Sequence, residues 1–99
     1  MKNYNRLSYQ EWVKLDDREK LKIISSWSSN DTKRHHIQDQ LVEAFKNKYS
    51  SISSELLTID FGYFGWDLPC IYLIVKNSST RIPKYFEKVI VNKLSLIHI

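Results

Sequence analysis

Glycine is scarce in this 99-residue chain: there are two, Gly62 and Gly65, alongside two prolines. A phosphate-cradling loop would therefore have to use Gly62-Tyr63-Phe64-Gly65. That stretch lacks a following Lys-Ser/Thr pair and leads into a strand pattern rather than a helix, so it is not such a loop. The single cysteine, Cys70, excludes an internal disulfide and fits a reducing, cytoplasmic compartment. No run is long or apolar enough to span a membrane, and nothing after the first six residues resembles a signal peptide. Blocks of like charge are missing as well. The net charge of +4 is spread as +2, +1 and +1 over residues 1–29, 30–50 and 51–99, whereas nucleic-acid binders gather theirs on one face or helix.

What is present belongs to an ordinary globular chain: 42% hydrophobic and 26% charged residues, enough for one domain with a modest core. Residues 56–75 organise it. In residues 56–61, Leu57, Ile59 and Phe61 alternate with Leu56, Thr58 and Asp60, the pattern of a strand with one packed face. From Cys70 to Val75 both faces are apolar, which marks an inner strand, and Pro69 belongs at its beginning. Residues 62–67 join the two strands in a glycine-containing turn.

The segments before this ribbon read as helices. Ser8 and Glu11 form a capping box, with Leu7 and Trp12 at the positions of a hydrophobic staple. A second start follows at Asp16 with Glu19 three residues on, and Leu21, Ile24 and Trp27 then recur at helical spacing with Ile23 beside them. Arg18, Lys20 and Lys22 fall largely elsewhere on that helix. A third helix is expected over residues 30–49, its stripe made by Ile37, Leu41, Phe45 and Tyr49. Pro83 holds Ile82 extended and makes residues 82–86 a constrained bend, and Val89-Ile90-Val91 reads as a third, short strand. The expected fold class is α+β: two or three N-terminal helices on one face of a small antiparallel sheet of about three strands.

Three features suggest an origin. The tryptophan-bearing segment Glu11-Trp12-Val13-Lys14-Leu15, the helix ending at Trp27, and the bend Ile82-Pro83-Lys84-Tyr85-Phe86 before a valine strand resemble the layout of small uncharacterised bacterial proteins. The resemblance implies an α+β domain and no activity. Separately, Leu94-Ser95-Leu96-Ile97-His98-Ile99 is similar to the translation of a transposase adapter end used in sequencing libraries. On that reading the domain occupies residues 1–93, the natural chain continues beyond it, and residues 94–99 are foreign; the alternative is a genuine strand from Val89 to Ile99.

Catalytic and metal chemistry find little support. His35 and His36 are adjacent and point about 100° apart on a helix, so they make poor joint ligands. Asp60 and Asp67 flank the hairpin turn, where aspartates usually accept from backbone N–H groups. No cofactor site, metal site or catalytic set is expected. The leading expectation is a non-enzymatic protein-binding or regulatory module that contacts a protein partner through the aromatic hairpin tip Tyr63, Phe64 and Trp66. The alternative is weak nucleic-acid binding through Lys33, Arg34, Lys46 and Lys48 on and before the third helix.

Overall fold

A computed structural model describes residues 6–30, 34–51, 56–65, 68–76 and 81–95. Among the described residues three helices precede four strands: α1 (Tyr9–Val13), α2 (Asp17–Ser25), α3 (His36–Lys48), β1 (Leu56–Phe64), β2 (Leu68–Val75), β3 (Tyr85–Phe86) and β4 (Val89–Ser95). The α+β class is as expected, with one more strand. Trp66 and Lys33 lie outside the described residues, as do Asp31, Asp67 and residues 96–99.

The local start signals act as read. Ser8 Oγ accepts from the N–H of Glu11, and the Glu11 carboxylate accepts from the N–H of Ser8. Leu7 and Trp12 are both buried, completing the staple. Asp16 Oδ1 accepts from the N–H of Glu19 at 2.8 Å and opens α2. The third helix begins later than expected: His35 is the N-cap, and its N–H donates to Gln38 Oε1 at 3.0 Å.

The sheet order is β1-β2-β4-β3, so β2 and β4 are the inner strands and β1 and β3 the edges. β1 pairs with β2 antiparallel, β2 with β4 parallel, and β4 with β3 antiparallel. The expectation of an antiparallel sheet is therefore corrected to a mixed one. β3 takes one side of β4 as a hairpin and reverses the chain; β4 then settles beside β2 in the same direction. Pro69 sits at the second position of β2, before pairing with β4 begins at Cys70, so its missing N–H interrupts no bond to that strand.

The helices cover the face that carries Phe61, Ile71, Leu73, Val75, Phe86 and Val89. Ile71, Leu73 and Val75 are fully buried there. Aromatic rings fill the layer between. Trp12 stacks on Trp27 at 5.9 Å, and Phe61 meets Trp27 edge-on at 5.5 Å. Phe45 meets Phe86 edge-on at 5.4 Å.

Two expectations about faces fail. Leu57 does not share a face with Ile59 and Phe61: the register shifts between Leu56 and Thr58, Leu56 joins the packed side opposite Val75, and Leu57 is exposed. An extra residue in one strand breaks the two-residue alternation at that point. Lys20 and Ile23 of α2, with Trp27 just beyond its end, form the inward line, while Leu21 is 52% exposed. Lys20 is buried because its ammonium meets the Glu87 carboxylate at 2.9 Å.

Candidate functional site

Glu87 and Lys88 form the two-residue turn between β3 and β4, and both have positive φ, 50° and 72°. Such turns match the twist of their strands only when both central residues are left-handed, a conformation that favours Asn-Gly. Glu87 is compensated by its contacts. Lys20 donates to its carboxylate, Trp12 Nε1 donates to its carbonyl at 3.4 Å, and the Tyr9 hydroxyl bonds to the same carboxylate. Burial, then the charge and hydrogen bond of Glu87, push the Tyr9 phenol upward. Lys88 reaches Asp17 at 3.3 Å. These ties hold α2 against one end of the sheet.

As a result Leu21 and Ile24 stand beside Leu68, Tyr85 and Ile90, with Trp27 behind them, around a groove of about 430 Å³. The groove opens onto the sheet face opposite the main helix layer. Register assigns that face row by row. Tyr85, Ile90, Cys70 and Gly62 lie side by side across all four strands, followed by Asn92, Tyr72 and Asp60, then Leu94, Ile74 and Thr58. Phe64 and Leu68 pair at the hairpin end. Phe64, Leu68, Tyr85 and Leu94 are 37%, 41%, 64% and 47% exposed. Four large apolar side chains from four strands thus share one face without a described helix across it. Gly62 serves this face: a Cβ there would come within 3.1 Å of the Tyr72 ring, which lies over the glycine. Cys70 is buried within the face, and desolvation pushes its thiol upward.

The residues expected at the hairpin tip separate. Tyr63 and Phe64 are neighbours on β1 and so point to opposite faces. Tyr63 is half-buried on the helix side, where its hydroxyl accepts from Gln38 Nε2 at 3.2 Å and its ring meets Phe61 edge-on. Phe64 alone of the two joins the open face. Of the four basic residues, Lys33 lies outside the described residues, and the other three each have partners. Arg34 is bonded to Asp60 and to the Phe61 carbonyl. Lys46 lies 3.5 Å from Glu43, and the Lys48 ammonium sits over the Tyr49 and Phe86 rings.

His36 is exposed on the first turn of α3 and His35 is half-buried, 6.4 Å from the Trp27 ring. Among the described residues no group of three or more His, Cys, Asp or Glu is placed to hold a metal ion. No described helix is long and apolar enough to cross a membrane. The open face escaped sequence reading because its members come from β1, β2, β3 and β4, and only the pairing register aligns them. No protein-family model, curated protein or solved structure matches this chain.

Proposed function

We propose that this chain is a non-enzymatic binding module whose contact surface is the open face of its sheet, with a protein partner that presents a complementary apolar surface. The observation that carries this reading is the alignment of Phe64, Leu68 and Tyr85 on that face, with the α2 groove at one corner. Contiguous apolar surface of this kind marks interaction sites, whereas scattered exposed leucines do not. The face offers hydrocarbon and two phenol rings, which hold a partner by burial. The groove at the corner suits one projecting apolar side chain, the usual form of an interface anchor.

Nucleic-acid binding draws less support. The Arg34 guanidinium is committed to Asp60 and a carbonyl, and Lys46 and Lys48 stand two residues apart on α3, on different sides of the helix.

The test is the double variant Leu68→Lys, Tyr85→Lys. Both side chains are exposed, so the melting temperature should fall by no more than about 4–8 °C, as for two surface changes of under about 0.5 kcal/mol each. Immobilised parent chain should retain a partner that the double variant does not. Equal retention by both, or a large loss of stability in the variant, would remove the open face as the contact surface.

A further inference from the structure

β1 is a sheet edge nine residues long, and from Leu56 to Phe64 it carries no proline and no lysine. Those are two of the usual means of preventing an edge from taking another strand; a third, a bulge, lies only at its start, between Leu56 and Thr58. The other edge, β3, is only two residues long and needs no such protection. What guards β1 follows from the direction of its backbone groups.

Tyr63 pairs with Pro69, which has no N–H to give, so that pair is of the kind that exchanges no bonds. Bonded and non-bonded pairs alternate along an antiparallel ladder. The register is regular from Thr58 to Phe64, so Phe61 and Ile59 are of the same kind as Tyr63. Their N–H and C=O groups point off the sheet. At Phe61 both are taken by side chains: its N–H donates to Asp60 Oδ1 at 2.8 Å, and its carbonyl accepts from the second terminal nitrogen of Arg34 at 3.0 Å. The first terminal nitrogen of Arg34 donates to the same Asp60 oxygen and lies 3.5 Å from Asp39. Arg34 comes from the segment just before α3 and Asp60 from the open face, so together they close over the border and bond Phe61 as a neighbouring strand would.

We propose that the Arg34–Asp60 pair is a clamp that keeps a second copy of this chain from adding its own β1 to this border. The second copy is the occupant because the strand complements itself. Paired antiparallel about Phe61, Ile59 faces Tyr63 and Asp60 faces Gly62, so no like charges stand directly opposed. The two Phe61 groups held by the clamp are those the central backbone bonds of the dimer would use. This proposal does not rest on the open-face reading, since the border and the face are different surfaces.

The experiment is sedimentation velocity over a concentration series, with every chain carrying Leu68→Lys so that the open face is out of play. Removing the clamp with Arg34→Ala and Asp60→Ala should lower the dimer dissociation constant about tenfold or more relative to the clamped chain. Adding Ile59→Pro should return the unclamped chain to monomer, because the Ile59 N–H points off the sheet and its loss takes nothing from the β1–β2 ladder. Arg34→Ala alone, which alters a residue outside any helix or strand, should shift the constant in the same direction by less; it serves as the test if the double change unfolds the chain. Unclamped chain that is folded by circular dichroism yet no more dimeric than its parent would overturn the proposal. So would association that Ile59→Pro leaves untouched.

Discussion

The turn between β3 and β4 invites a paired test, because its two residues share a backbone conformation and differ in what their side chains do. A non-glycine residue held left-handed costs roughly 1–2 kcal/mol. Lys88→Gly removes that cost at φ 72°. Against this, glycine has more freedom to lose on folding, about 0.5–1 kcal/mol. The exposed Lys88–Asp17 pair, 43% and 70% exposed, contributes at most a few tenths of a kcal/mol. The balance favours glycine by about 0.5 kcal/mol, which for a domain of this length raises the melting temperature by about 2–4 °C. Glu87→Gly relieves the same strain at φ 50° but removes the carboxylate from Lys20 and Tyr9. The Lys20 and Glu87 side chains are 10% and 22% exposed, so the ammonium left behind is largely buried, a situation that costs about 3 kcal/mol. That variant should melt more than 10 °C below the parent. Thermal melts followed by far-ultraviolet circular dichroism, with urea titrations to check that the slope is unchanged, measure both. If Lys88→Gly destabilises, or Glu87→Gly does not, the account of this turn as local strain held down by a buried ion pair is wrong.

Asp60 gives a pH dependence. Burial works to raise its carboxyl, but the hydrogen bonds from Arg34 and the Phe61 N–H, with the charges of Arg34 and Lys46, hold it below the ordinary carboxylate value. A group lowered on folding contributes stability that is complete above its unfolded value and is lost as pH falls through its folded one. Asp60→Asn should therefore flatten the acid limb of a melting-temperature profile while leaving its shape above about pH 5 alone. An unchanged acid limb would show that the carboxylate is not held by these partners. Cys70 gives a kinetic test: its buried thiol, pushed upward by desolvation, should react with a disulfide reagent only as fast as the sheet opens, and promptly once urea unfolds the chain. Rapid labelling in native buffer would place it at an accessible surface.

The features that sequence reading captured are those decided within a few residues. Ser8 with Glu11, and Asp16 with Glu19, satisfy helix-end N–H groups from inside one turn, so no tertiary contact is needed to place them. The two-sided apolar run of β2 needs a neighbour on each side, and it has β1 and β4. The β3–β4 hairpin was harder to see because Glu87-Lys88 is a poor match to the residues such turns favour. Its signal is compensated by Lys20, 67 residues away in sequence. Of the aromatic hairpin residues, Phe64 lies on the open face with Leu68, Tyr85 and Leu94, but strand alternation sends Tyr63 inward.

By itself the sequence determined where the first two helices begin, which strand lies inside the sheet and that the class is α+β. Capping bonds and hydrophobic periodicity act between residues a few positions apart and do not depend on how the chain closes. Tertiary structure alone decided that β4 runs parallel to β2, that Lys20 goes inward, that Arg34 closes over the β1 border, and that four strands align their apolar side chains on one face. Each of these joins residues far apart in the chain, and register and charge pairing between distant segments exist only once the segments have met.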